Sequence, residues 1–334
     1  MDDRVVPQEL TPRRRVGRIA AAVTVTAGLG VLIALAVPFA DVAAAMGRLD
    51  PAWLAPLLAA YALSFVARAA RFRALGVDLP LHVLIGVSGI HQFLNRVLPL
   101  RTGELAFPVL VRRLSGAPFV QGFALVVLCR LLDLVFVVLS FLAALLAVPA
   151  ARAAVGPVGT VLLAALLPVL LAGYLFLPSL AGYAARRLAV RLAVRRPAWS
   201  QRLERAAGVL DEVRRVSRRA FAGAAAWTVL QWLPTVAAFW CAVAAFGVAV
   251  GPAEVVVGST LAVLASVVPL PGVGSFGTLE AGWTAGFVLV GVPAGSAVAS
   301  ALVLSGVTFL AAGILAGISW TAFSRRRSPA PGAR

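Results

Sequence analysis

Apolar runs fill 19–40, 52–70, 119–148, 155–178, 221–247 and 296–322. A helix crosses the hydrocarbon layer with roughly 20 apolar residues, so each run predicts a full transmembrane helix, six in all. Two further stretches are apolar but interrupted. The first, 81–111, holds His82, His91, Gln92, Asn95, Arg96, Pro99, Arg101, Gly103, Glu104 and Pro108. The second, 253–292, has two apolar halves around the turn-rich run Pro269-Leu270-Pro271-Gly272-Val273-Gly274-Ser275-Phe276-Gly277, with Glu280 just beyond it. Broken backbone at membrane depth survives only where it is buried in protein or lines a wet cavity. Both stretches therefore predict broken or re-entrant helical segments, and the fold class is an all-α polytopic membrane protein.

Composition supports this reading. Of 334 residues 61% are hydrophobic and 13% charged, with a mean hydropathy of +0.96, too little polar surface for a soluble globular protein or a large separate soluble domain. Cys129 and Cys241 lie inside apolar runs and read as small buried thiols rather than a disulfide or zinc framework.

Charge then orients the spans. The net charge is +17 and all 30 basic residues are arginine. Their distribution argues against nucleic acid as a partner: 25 fall in clusters at the N-terminus, at Arg68, Arg71 and Arg73, at Arg112 and Arg113, across 186–219 and at the C-terminus, against Arg48 and Arg152 in the remaining loops. An excess of this kind marks the cytoplasmic face. It predicts a plasma (inner) membrane protein with both termini inside, a basic tail at 1–18, one transmembrane domain over 19–322 and a second basic tail at 323–334. The first run continues for a full span without a good cleavage site before Asp41, so it reads as a span and not a removed signal peptide.

With arginines on both flanks, 81–111 is expected to enter and leave from the cytoplasm, whereas 253–292 opens to the outside. Two spans, a broken segment and one more span are then followed by a similar order in the second half with opposite orientation. Such a pair of Gly/Pro-interrupted segments in an inverted repeat is the best sequence pointer to a transporter's binding site. The polar segment 186–219 carries eleven arginines against Glu204, Asp211 and Glu212. Leu203, Ala206, Ala207, Leu210 and Val213 recur in it at helical spacing, which predicts an amphipathic helix on the bilayer surface, or else a solvated basic loop.

Ionisable groups at membrane depth cost roughly 2.5–3.5 kcal/mol each on insertion scales and are candidates for function by default. Here they are Arg96, Arg101, Glu104, Arg130, Asp133 and Glu280. Around Arg96 and Arg101, the breakers Pro99 and Gly103 free backbone groups, and the guanidinium forks suit phosphate or carboxylate. Arg130 and Asp133, three apart, share a helix face and can pair locally. Glu280 follows the glycine turn and needs a donor, which Arg101 or Arg130 would supply. The alternative reading is architectural, with these charges neutralising one another and fixing helix packing. His82 and His91 lack any metal-site spacing, so no metal or other cofactor is expected.

The run Asn95-Arg96-Val97-Leu98-Pro99-Leu100-Arg101-Thr102-Gly103-Glu104-Leu105, then Arg130-Leu131-Leu132-Asp133, then Pro269 to Gly277-Thr278-Leu279-Glu280, resembles the lysylphosphatidylglycerol synthase transmembrane region, or flippase-like domain, family. The likeness covers nearly the whole chain in motif order. It implies an inner-membrane lipid-handling protein. The best-known members join this region to a soluble domain that makes aminoacylated phosphatidylglycerol; this chain ends shortly after its last span, so that activity is not expected here. Two positions depart from the family pattern: Phe107 stands where many members have an arginine, and Cys129 precedes Arg130 where a glutamate is common.

Three classes of function follow. The first is a transporter or flippase for an anionic phospholipid or lipid-linked substrate, with Arg101 and Arg96 on the phosphate and Glu104, Asp133 and Glu280 offsetting those arginines or binding a cationic headgroup. The second is a non-transporting accessory subunit of a lipid or glycan synthesis pathway, partnered by a glycosyltransferase or lipid-synthesis enzyme or by further copies of itself. The third is an intramembrane enzyme, for which Gly274-Ser275-Phe276-Gly277 fails the nucleophile-elbow spacing. The chain contains no lysine, so a Walker A site is excluded.

Overall fold

The computed structural model describes residues 37–214, 218–267 and 277–325. Most of the predicted span 19–40, the turn 268–276 and both tails lie outside the described residues. Those described form eleven α-helices and no strand: α1 Phe39–Met46, α2 Leu54–Ala74, α3 Leu81–Val97, α4 Ala106–Ser115, α5 Phe119–Ala147, α6 Pro149–Leu192, α7 Pro197–Arg214, α8 Arg218–Ala244, α9 Pro252–Val267, α10 Thr278–Leu289 and α11 Ala294–Arg325. Five are long and apolar enough to cross a membrane, namely α2 with its leading 3-10 turn Pro51–Trp53, then α5, α6, α8 and α11. These coincide with five of the six predicted spans; the sixth, 19–40, lies largely outside the described residues.

Boundaries follow local chemistry. Prolines stand immediately before α3 (Pro80) and α5 (Pro118), where a fixed φ and a missing N–H cost nothing. Asp50 accepts from the Ala52 N–H at 3.0 Å and caps the 3-10 turn ahead of α2. The long α6 is kinked at Gly156 (φ 66°, ψ 174°), so its spanning portion begins at Pro157.

Both broken segments are helical hairpins. In the first, α3 ends at Val97, the next residue Leu98 is extended (φ −85°, ψ 133°), and a 3-10 helix over Pro99–Leu105 turns the chain back into α4. A Cβ on Gly103 would lie 2.4 Å from the backbone of Leu94 and Asn95, so only glycine lets the returning strand lie on the last turn of α3. Gly76 and Val77, just before α3, share a small cleft with Ser115 at the end of α4, so the hairpin opens and closes at one end of the bundle. In the second, α9 and α10 run antiparallel with backbones in contact: a Cβ on Gly286 would lie 2.0 Å from the carbonyl oxygen of Gly258. Lipid offers no hydrophobic drive for helices to associate, and small residues at such contacts supply close packing instead.

The second hairpin opens at the opposite end. Ala74 lies beside Gly223, and Gly86 beside Ser319 and Phe323, which gathers the end of α2, the start of α8, the first hairpin's mouth and the end of α11 on one side. Asp50 N–H donates to Ala245 O at 2.8 Å, and Gly295 abuts Asp41 O, which places the mouth of α9–α10 on the other. The unit α2, hairpin, α5 is thus matched by α8, hairpin, α11 with inverted direction. The packing has the same symmetry, α3 lying on α11 and α9 on α5.

The segment 186–219 departs from the expectation of one surface helix. Residues 186–192 complete α6, and after a turn α7 folds back along α6 and α5. Its apolar stripe of Leu203, Ala206, Ala207 and Leu210 is at least partly buried, Ala207 fully so. Arg186 pairs with Asp211 across the turn. The stripe is therefore at least partly covered by protein, and the described arginines between Arg186 and Arg205 are exposed.

Candidate functional site

The tips of the two hairpins meet at Ser305 on α11. The Ser305 hydroxyl donates to Glu280 at the start of α10, and its carbonyl accepts from Arg96 Nη1 at 3.2 Å near the end of α3. Glu280 also accepts from the Gly277 N–H at 2.7 Å. Gly277 has φ 90° and ψ −48°, a conformation open to glycine, and caps α10 at its N-terminus. Glu280 is buried, and among the described residues its donors are a backbone amide and a hydroxyl of its own half; of the two donors the sequence reading offered, Arg130 is not one, and the side chain of Arg101 lies outside the described residues.

Beside these tips lies a cavity of about 430 Å³. The first hairpin contributes Gln92, Arg96 and Glu104, and the second contributes Ala262, Val263, Leu279 and Trp283. Helix α2 adds Tyr61, Ser64 and Arg68; α5 adds Arg130 and Asp133; α8 adds Gln231, Trp232, Thr235 and Phe239. Three arginines and two carboxylates thus face one space between segments that enter from opposite ends. Of the candidates named from sequence, Arg96, Glu104, Arg130 and Asp133 line it; Glu280 does not, although its chain neighbour Leu279 does. Asn95 and Gly103 sit behind Glu104, with Pro99 opening the 3-10 helix. The side chain of Arg101, and all of Pro271, Gly272 and Gly274, lie outside the described residues.

The carboxylates are already engaged. Asp133 accepts from Arg71 Nη1 at 2.6 Å, from Arg71 Nη2 at 3.4 Å and from Trp232 Nε1 at 3.1 Å. Arg71 also donates to Thr228 Oγ1 at 3.3 Å and is 1% exposed. Glu104 Oε1 accepts from Arg130 Nη2 at 2.6 Å. Its Oε2 accepts from His91 Nε2 at 3.1 Å, since the imidazole hydrogen belongs on the nitrogen that faces a carboxylate, and the Asn95 amide lies 3.0 Å from that nitrogen. Arg130 and Asp133 therefore do not pair with each other. Sharing a helix face brings both to the cavity, but each finds a better aligned partner on another element.

Sequence reasoning missed Arg68, Arg71 and His91. The two arginines count as loop residues if α2 ends at about residue 70, but the helix runs to Ala74 and carries both inside the bundle. Their spacing of three, one helical turn, was the available signal. Behind Glu104 the space is apolar. Phe107 is fully buried, stacked on Phe72 at 3.9 Å and edge-on to His91 at 5.8 Å, and Cys129 is buried in the same core. Both departures from the family pattern thus fall on the dry side of the charge cluster.

A search among curated proteins finds no match. The family model described as the lysylphosphatidylglycerol synthase TM region matches residues 19–316, which takes in both hairpins, all the cavity-lining residues, four of the five described spans and most of the fifth. With that match over most of its length, and with five membrane-length helices around two inverted hairpins, the chain belongs to the lysylphosphatidylglycerol synthase transmembrane region family and is a multi-pass membrane protein.

Proposed function

We propose that the chain is a lipid transporter, a flippase that carries the headgroup of an anionic phospholipid or lipid-linked phosphate through the cavity between the hairpins. The observation that carries this reading is the meeting of two oppositely directed broken helices at one arginine-lined cavity inside an apolar bundle. Transporter sites lie where such segments meet, because irregular backbone and charge at membrane depth need a wet space to justify them. Acyl chains would stay in the bilayer while the headgroup passes.

In this reading Arg96, Arg101 and Arg68 hold phosphate, and the pairs Arg71–Asp133 and Arg130–Glu104 fix the walls. The protein works without catalysis or cofactor, in the plasma membrane, with 1–18, 186–219 and 323–334 on the cytoplasmic side and anionic lipids as its partners. Reconstitution tests it: liposomes holding only this chain should move a fluorescent anionic phospholipid between leaflets faster than protein-free liposomes. No acceleration there, with activity restored only by a lipid- or glycan-synthesis partner, would make the chain an accessory subunit.

A further inference from the structure

We infer that the cavity is built for a lipid phosphodiester whose headgroup carries hydroxyls and no positive charge, such as a glycerol or sugar phospholipid, and discriminates against an aminoacylated one. This rests on the reading above that the cavity receives a lipid headgroup.

A cationic headgroup needs a free carboxylate, and each acid at the site is already engaged: Asp133 by Arg71 and Trp232, Glu104 by Arg130 and His91, Glu280 by Gly277 and Ser305. The surplus lies on the other side. Arg68 and Arg96 face the cavity, and among the described residues neither has a carboxylate partner; the hydrogen bond from Arg96 goes to a backbone carbonyl. A desolvated guanidinium without an anion is costly, and one phosphodiester beside the two would supply the missing charge and acceptor oxygens. An added ammonium would stand next to these arginines with no acid left to receive it.

Gln231 lines the cavity and is 2% exposed, yet its Oε1 accepts no hydrogen bond. The buried Tyr61 hydroxyl on the facing helix is likewise unpartnered. Buried polar atoms are ordinarily satisfied; a turn of either side chain toward the cavity it lines would leave the Gln231 oxygen in need of a donor and the Tyr61 O–H in need of an acceptor, which calls for a ligand that both donates and accepts. Hydroxyl groups do both, whereas an ammonium only donates. Trp232 and Trp283 supply flat apolar walls for the carbon faces of a polyol, and their rings make the cavity's occupancy readable by fluorescence.

The test uses the purified full chain and tryptophan fluorescence, titrated with four short-chain or soluble probes. These are phosphatidylglycerol; phosphatidylmethanol, which keeps the charge and lacks the hydroxyls; lysyl-phosphatidylglycerol, which adds cations; and glycerophosphoglycerol, which lacks acyl chains. Phosphatidylglycerol should bind about tenfold or more tightly than the lysyl lipid, and severalfold more tightly than phosphatidylmethanol, as expected for loss of charged and neutral hydrogen bonds respectively. Gln231→Leu should erase the second gap and leave the first. Glycerophosphoglycerol should bind more weakly than the intact lipid; equal binding would overturn the assignment to a lipid. Lysyl-phosphatidylglycerol binding as tightly as phosphatidylglycerol, or phosphatidylmethanol equalling it on the unmodified chain, would overturn the inference. The predicted binding order without translocation would uphold it and refute transport. Preferential translocation of the lysyl lipid would refute it and leave transport standing.

Discussion

Removing Asp133 while keeping Arg71 strands a cation inside the bundle. Arg71 is 1% exposed and Asp133 7%, and in Asp133→Leu the guanidinium keeps only the Thr228 hydroxyl at 3.3 Å. Breaking one side of a buried pair costs about 3–5 kcal/mol, because the remaining charge has no compensation. Trp232 loses its acceptor as well, but its ring lines the cavity, so this adds at most about 1 kcal/mol. Arg71→Met should fall in the same range, since it leaves a buried carboxylate with the indole as its remaining donor. The double variant Arg71→Met/Asp133→Leu removes both charges and should cost no more than about 1–2 kcal/mol, since apolar replacement of a whole pair is often near neutral. The cycle therefore predicts a coupling of at least about 2 kcal/mol. Reversible unfolding in mixed micelles, driven by a rising fraction of denaturing detergent and followed by circular dichroism, measures all three. Single variants costing under about 1 kcal/mol, or a double variant equal to the sum of the singles, would refute a structural role for this pair.

Three further outcomes are expected. Gly103→Ala should destabilise the chain by about 1–3 kcal/mol and slow translocation, because its Cβ would press on the backbone of α3 and not on a movable side chain; the same detergent titration reads it. Arg101→Lys should lose most translocation, since an ammonium keeps the charge but not the bidentate fork. Arg101→Gln/Glu104→Gln should not restore translocation, because Glu104 is held by Arg130 and His91. Reporter fusions at Arg196 and at the C-terminus should both be active in the cytoplasm, and an external signal at either would overturn the proposed orientation.

The sequence made the architecture legible because bilayer thickness dictates the length of an apolar run, and because prolines and glycines cannot hide inside one. Pro99 and Gly103 mark the turn of the first hairpin within a residue or two. The partners of the charges were not legible. Asp133 has an arginine three residues away on its own helix, yet it meets Arg71, 62 positions earlier, because α2 and α5 pack at that depth. Arg71 itself reads as a loop residue, since hydropathy falls at the arginines before the helix ends. The fold of 186–219 was legible only in part for a related reason: an apolar stripe states that something covers it, and here the end of α6 covers part of it, splitting the segment between two helices.

The central claim is that one cavity serves both leaflets, and access to it from each side is the measurement that tests this most directly. Thr235 lines the cavity. In a chain with Cys129 and Cys241 replaced by alanine, Thr235→Cys should react with a membrane-impermeant thiol reagent both in right-side-out and in inverted vesicles, and phosphatidylglycerol headgroup analogues should slow both reactions. Labelling confined to one orientation, unchanged by those analogues, would contradict the account and make the cavity a one-sided binding site.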